Sequence, residues 1–200
     1  EVDELIVLDI DATVNGVEPN YQMIEYLANE SRMPLCYGGG VKTAEQAQKI
    51  IKLGVEKVAL SSEAIANPKL LVDIANIIGR QSVVVVLDVK KTLFGSYEIH
   101  SHNGKKKVKR NLFEFITELE AIGIGELVIN SIDNDGVMKG YDLALIKKVR
   151  ESVNVPLTVL GGAGSADDII NLIDEYKIIG ASAGSLFVFK GVYKAVLINY

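Results

Sequence analysis

The chain contains no tryptophan and only one cysteine, Cys36. A lone cysteine excludes an intrachain disulfide and points to a reducing compartment, the cytoplasm. Histidine occurs only twice, at His100 and His102, and two histidines alone make a poor metal site. No apolar run is longer than a strand. Ser82 to Leu87 is typical, so nothing is expected to span a bilayer, and no signal peptide is visible. A basic excess is also missing: 21 Lys and Arg face 26 Asp and Glu, a net charge of -5. That argues against nucleic acid or an anionic membrane as partner. It does not exclude a phosphorylated small molecule, which backbone amides and a few cations can hold.

What is present is a chain of 200 residues, 48% hydrophobic, enough for one domain over residues 1–200 with a substantial core. Apolar strand-like runs fall at Leu5–Ile10, Pro34–Tyr37, Lys57–Leu60, Ser82–Val89, Leu127–Ile132, Pro156–Leu160 and Ile178–Ala183. Between them, apolar residues at three- and four-residue spacing predict helices over Tyr21–Asn29, Thr43–Leu53, Pro68–Ile78, Leu112–Ile122, Leu143–Glu151 and Ala166–Tyr176. The strands are continuous Val/Ile/Leu runs, as expected when both faces of a parallel sheet are covered. Regular alternation implies βαβ units.

An internal repeat selects the closed form. A shift of 122 residues lays Glu4 on Glu126, Asp11 on Asp133, Pro34 on Pro156 and Gly39-Gly40 on Gly161-Gly162. After one residue of slippage, Ser62 falls on Ser185. A duplicated half-barrel predicts an α/β fold, a (β/α)8 TIM barrel of two repeated halves. The Ser82–Val89 strand lacks its repeat mate, which is expected about 30–35 residues before Glu1. The first β/α unit is therefore expected to be missing from this chain, leaving strands two to eight. Ser96 to Arg110 breaks the alternation, and Asn103-Gly104 there predicts a two-residue hairpin turn.

Five groups of residues carry candidate chemistry. Gly38-Gly39-Gly40 and Gly161-Gly162 each follow a strand and precede a helix, with Thr43 and Ser165 as expected caps. Small residues and a helix start let amides approach an anion, although tight turns would also use glycine. Ser61-Ser62 and Gly184-Ser185 stand one strand further on as partners. Asp88 ends a buried Val-rich strand at the mouth of the barrel, where a carboxylate is a general acid or base or a structural cap. Asp9, Asp11, Asp133 and Asp135 lie on mouth loops, with Asp11 and Asp133 expected to face each other. Carboxylates this dispersed, without histidine, are weak evidence for a metal and point instead to loop capping or to binding of substrate hydroxyls. Glu4, Lys57 and Glu126 precede three even-numbered strands, and opposite charges there would close the barrel floor as a ring. His100 and His102 would share one face of the hairpin, and Lys105 to Lys107 would form its solvated tip.

Asp3–Thr13 (DELIVLDIDAT), Gly38–Val41, Val83–Lys90 (VVVVLDVK), Gly125–Tyr141 and Gly161–Ser185 resemble the cyclase-subunit family of imidazole glycerol phosphate synthase. The resemblance covers essentially the whole chain in order. It implies a lyase/cyclase of histidine biosynthesis that takes ammonia from a glutaminase subunit docked at the barrel floor. It implies a bis-phosphorylated ribonucleotide converted to imidazole glycerol phosphate and an aminoimidazole carboxamide ribonucleotide, with no cofactor and no metal. Asp88 matches the fifth-strand catalytic aspartate. Glu4, Lys57 and Glu126 match three of the four residues of the ammonia gate, and Glu56 matches a glutaminase contact. Gly39, Gly40, Ser61 and Ser62 match one phosphate site. Gly161, Gly162, Gly184 and Ser185 match the other, and Asp135 and Gly136 are counted with the phosphate- and substrate-binding residues. Asp11 stands where the family usually has threonine, Ser61 for asparagine, Leu160 for serine and Asn130 for threonine. The conduit thus keeps the family pattern better than the substrate site does. That also resembles paralogues found with surface-polysaccharide genes, in which the barrel passes ammonia to a sugar-amidating partner. The isomerase that precedes the cyclase shares the repeat but matches the VVVVLDVK segment less well.

Overall fold

The computed structural model describes residues 2–190 and 195–196. Seven parallel strands form one sheet in chain order. They are β1 (Leu5–Leu8), β2 (Leu35–Gly38), β3 (Lys57–Leu60), β4 (Val83–Lys91), β7 (Glu126–Ser131), β8 (Leu157–Leu160) and β9 (Gly180–Ala181). Two further strands, β5 (Tyr97–Ser101) and β6 (Lys106–Lys107), add an antiparallel ribbon to the end of β4. A separate pair, β10 (Phe189–Lys190) and β11 (Ala195–Val196), lies near the C-terminal end. The helices are α1 (Ile10–Asn15), α2 (Tyr21–Glu30), α3 (Ala44–Lys52), α4 (Ser62–Ala66), α5 (Lys69–Ile78), α6 (Leu112–Ile122), α7 (Leu143–Arg150), α8 (Ala166–Tyr176) and α9 (Ser185–Val188).

The repeat is written into the register. Leu5 lies opposite Leu35 in the first copy, and Leu127 lies opposite Leu157 in the second. Cys36 pairs with Lys57, while its equivalent Thr158 pairs with Gly180, which locates the one-residue slip at the third strand. The helix starts repeat as well. Thr43 with Gln46 and Ser165 with Asp168 build capping boxes at equivalent places, and Asn20 and Asp142 cap α2 and α7. In a capping box the first side chain accepts from the third amide and the third side chain accepts in return, so the helix start is fixed locally.

The sheet is curled. Lys57 Nζ lies 2.7 Å from Glu4 Oε2 and 2.8 Å from Glu126 Oε2. Glu4 precedes β1 and Glu126 opens β7, four strand spacings away in the sheet order. In a flat sheet that separation would be about 19 Å, at about 4.8 Å per strand. One ammonium group can reach both only if the sheet wraps toward a barrel. The inside of the curve carries its own apolar cluster of Cys36, Ala59, Val84, Val86 and Val128, with Ile6 and Leu160 against it. A larger cluster fills the layer between sheet and helices. These two cores are the inner and outer layers of a (β/α)8-barrel architecture.

Three expectations change in detail. The first strand stops at Leu8, because Asp9 caps α1 by accepting from the amides of Asp11 and Ala12, and Gly16 ends that helix at φ 67°. The last parallel strand shrinks to Gly180–Ala181, preceded by Lys177 at φ 59° and an exposed Ile178. Conversely, β4 runs two residues beyond Val89, drawn on by pairing with β5. A second turn, closed by Thr92 N–H donating to the Ser96 carbonyl at 2.8 Å, joins those two strands. The Asn103-Gly104 turn forms, both residues at positive φ, with Lys105 N–H donating to the His102 carbonyl at 3.2 Å.

Phe115 tests the outer layer. It is fully buried in α6 with the Arg110 guanidinium 4.1 Å above its ring. Phe115→Ala is expected to lower unfolding free energy by about 3–5 kcal/mol, measured by chemical denaturation. A loss under about 1 kcal/mol would contradict the packing described.

Candidate functional site

Alternation along the strands sorts the inward side chains into layers. Glu4, Lys57, Glu126 and Thr158 form the floor, where Thr158 Oγ1 donates to Glu126 Oε1 at 2.6 Å. Burial disfavours the Lys57 ammonium, but hydrogen bonds to Glu126 and Glu4 outweigh this and hold its pKa above the usual lysine value. Above the floor sits the apolar inner cluster. Cys36 belongs to it, and burial, reinforced by Glu4 and Glu126, pushes its thiol up, so it stays neutral.

The mouth layer begins with Asp88, two residues beyond inward-facing Val86 on β4. Its Cα partners are His100 on β5 and Asn130 on β7, and Asn130 pairs in turn with Leu160 on β8. Asn130 Nδ2 donates to Asp88 Oδ1 at 2.9 Å. Burial raises the Asp88 pKa above the ordinary carboxylate value, with the Asn130 hydrogen bond opposing it and Asp135 adding to it. A cavity of ≈ 320 Å³ opens here, lined on one side by Gly38 to Val41 and Ser61 to Glu63, and on the other by Asn130, Ile132, Asp135 and Leu160.

The two glycine corners are packed alike. A Cβ on Gly39 would lie 2.5 Å from the Asp9 carbonyl, and one on Gly161 would lie 2.6 Å from the Ser131 carbonyl. Asp9 and Ser131 are themselves related by the 122-residue shift, and both glycines have positive φ, so no larger residue fits either place. The amides of Gly39, Gly161 and Gly162 make no hydrogen bond among the described residues. The helix starts behind them are less open. Lys42 and Thr43 donate to Gln46, and Gly164 and Ser165 donate to Asp168. Any anion at these corners therefore meets the glycine amides rather than the first turns of α3 and α8. Gly40 N–H lies 3.5 Å from Thr13 Oγ1, and Ser62 Oγ accepts from His102 N–H at 3.2 Å. The hairpin tip reaches farther still, Asn103 Nδ2 donating to the Ile10 carbonyl at 2.7 Å.

The remaining sequence candidates fall as follows. Asp9 lines the cavity but is engaged as the α1 cap. Asp135 lines it from the loop after β7, next to Gly136 at φ 71°. Asp11 and Asp133, expected to face each other across the mouth, are both exposed, and neither lines the cavity. Asp11 lies exposed in the first turn of α1, and exposed Asp133 accepts from Lys91 N–H at 2.8 Å on the flank of β4. Gly161, Gly162, Gly184 and Ser185 do not line this cavity, although Leu160, next to Gly161 in the chain, does. Sequence reasoning underrated Asn130. Its signal was its place opposite Asp88 once the register is known.

A curled parallel sheet with its polar groups at the carboxyl ends of the strands places the chain among (β/α)8-barrel proteins. The histidine biosynthesis protein family model matches residues 1–194, and the chain belongs to that family. It is 59% identical over 201 aligned positions to a Vibrio vulnificus protein described as "Putative imidazole glycerol phosphate synthase subunit hisF3", covering all of this chain and 77% of the relative. It is 56% identical to a Leptospira borgpetersenii protein described as a "Putative imidazole glycerol phosphate synthase subunit HisF", at 100% and 79% coverage. The imidazole glycerol phosphate synthase subunit HisF of Exiguobacterium sibiricum is 42% identical over 185 positions, 92% of this chain and 74% of the relative. Among the described residues no helix is long and apolar enough to cross a membrane.

The raised Asp88 pKa sets a stability test. Unfolded chain loses this proton first, at about the ordinary value of 3.8, while the folded protein keeps it to higher pH. The unfolded state therefore binds fewer protons across that window, and this group makes stability fall as pH rises through it. Asp88→Asn is expected to melt at or above the wild-type temperature at neutral pH. The gap should close as pH falls toward 3.8. A variant that is less stable at neutral pH and unchanged in acid would contradict the assignment.

Proposed function

We propose that this chain is a cyclase subunit of the imidazole glycerol phosphate synthase type, acting in the cytoplasm on a bis-phosphorylated ribonucleotide with ammonia from a glutaminase bound at the floor. The observation that carries the reading is the placement of Asp88. It is a half-buried carboxylate on the rim of the curled sheet, in a cavity lined by the first glycine corner and by Leu160, which adjoins the second. The corners Gly39-Gly40 with Ser61-Ser62 and Gly161-Gly162 with Gly184-Ser185 hold one phosphate each through backbone amides, and Asp135 and Gly136 face the substrate between them.

In this reading ammonia enters through the Glu4–Lys57–Glu126 ring, which must part, and Glu56 contributes to the glutaminase contact. Neutral ammonia then passes the inner layer of Cys36, Ala59, Val84, Val86 and Val128. Ammonium would have to shed its water there without a partner, so the apolar layer selects the uncharged form. At the mouth the nitrogen lone pair attacks a carbonyl carbon of the substrate, the C=O π pair moves onto its oxygen, and the proton the nitrogen sheds passes to the Asp88 carboxylate. Burial keeps this carboxylate's pKa elevated, closer to the pH at which it must take up and return a proton.

Leu160 and Asn130 favour a second reading, in which the barrel only conducts ammonia to a sugar-amidating partner. Leu160 puts an apolar side chain into the cavity where the family usually has serine. Ammonia-dependent turnover of the full-length protein with the histidine-pathway ribonucleotide separates the two. The cyclase reading expects turnover that falls about 10²–10⁴-fold in Asp88→Asn. Stable glutaminase binding without turnover would overturn it in favour of the conduit.

A further inference from the structure

The repeat is broken at the floor, and the break is coordinated. In the first copy Glu4, Cys36 and Lys57 stand at three successive strands, and Cys36 pairs with Lys57. The 122-residue shift, with its one-residue slip, lays them on Glu126, Thr158 and Gly180, and Thr158 pairs with Gly180. The carboxylate is kept, but its two companions change together. A glycine stands where the second half would repeat the lysine, and a hydroxyl replaces the thiol beside it.

The two changes have one geometric reason. Gly180 lies in β9 without a positive φ, so its backbone does not call for glycine. Its neighbour does: a Cβ on Gly180 would lie 2.0 Å from Thr158 Oγ1, far inside contact distance. The space left by the absent side chain is where the hydroxyl sits. From there Thr158 Oγ1 donates to Glu126 Oε1 at 2.6 Å, while Lys57 Nζ holds Oε2 at 2.8 Å. Glu126 is thus gripped on both oxygens, by donors from β8 and β3.

The two grips differ in stiffness. Thr158 is β-branched, so its χ1 is confined and its hydroxyl stays aimed. Lys57 carries its charge on a flexible four-carbon stem. The Lys57 side chain is also 26% exposed, against 12% for Glu126. Resting on the reading of the floor as an ammonia entrance, we propose that Thr158 is a positioning residue of that entrance. It anchors Glu126 as the fixed post of the ring, so that Lys57 swings to open it and returns to a carboxylate already in place. Without the anchor, Glu126 would follow the ammonium or turn to water, and the ring would lose its preset closed state.

The test uses the full-length protein with isotope-labelled lysine, alone and with the glutaminase subunit. Hydrogen exchange of the Lys57 ammonium with water reports how often Lys57 leaves its carboxylates. Thr158→Val, which keeps the shape and removes the donor, should speed that exchange about three- to tenfold, the scale of one hydrogen bond to a charged group. Thr158→Ser should restore most of the slowing. Gly180→Ala, which drives the hydroxyl off while leaving it in the chain, should behave like Thr158→Val, so either variant carries the test. Backbone amides of α6 are the control, because a general loss of stability would speed them too. No change at Lys57, or an equal acceleration at Lys57 and in α6, would overturn the proposal by making Thr158 a packing residue. In the complex, product formed per glutamine hydrolysed should fall in Thr158→Val and recover in Thr158→Ser. A loosened Lys57 with an unchanged yield per glutamine would also overturn it, because the anchor would then serve no passage. A wild-type complex that forms no product, with Lys57 still loosened by Thr158→Val, would count against the cyclase reading and leave the anchor standing.

Discussion

One ion triad governs the geometry. Lys57 stands between Glu4 and Glu126, elements that a flat sheet would hold far apart. Its reach to both fixes how tightly the sheet turns on itself, and everything on the opposite rim inherits that curvature. Such a partly buried cluster is weak evidence for stability, since desolvation offsets much of the attraction. Its value lies in specificity: an ammonium flanked by two carboxylates has one good arrangement, and Thr158 ties the triad to the next strand.

From that floor upward the inward residues change character in order, from charge to apolar side chains to the polar mouth. Alternation makes this possible, because each strand sends every second residue inward. Val84, Val86 and Asp88 form one such series, and Glu126, Val128 and Asn130 form another beside it. In the proposed reading neutral ammonia follows this path, and an ion would have to shed its water at the middle layer. The mouth then sets the carboxylates Asp9, Glu63, Asp88 and Asp135 beside the amides of the first glycine corner.

Much of this could be read from the residues in order. The 122-residue repeat anticipated the shared strand register, the paired capping boxes and the matched contacts beneath Gly39 and Gly161. Helices α6 and α8 begin and end where their periodicity places them. What could not be read depended on competition between local options. Asp9 could continue a strand or cap a helix, and its carboxylate took the amides of Asp11 and Ala12, turning Asp11 outward. Asp133 found a backbone partner in Lys91, itself brought there by the extension of β4 along β5. The bond from Asn130 to Asp88 was invisible for the same reason. Only the register sets the two side chains opposite each other.

The account stands on the curvature bringing two related anion corners to one rim. Counting inorganic phosphate by calorimetry, together with amide shifts on the full-length protein, addresses this directly. Two phosphates per chain, perturbing Gly39 and Gly161 together, is the outcome the account requires. A single phosphate, or none at either glycine, would contradict it.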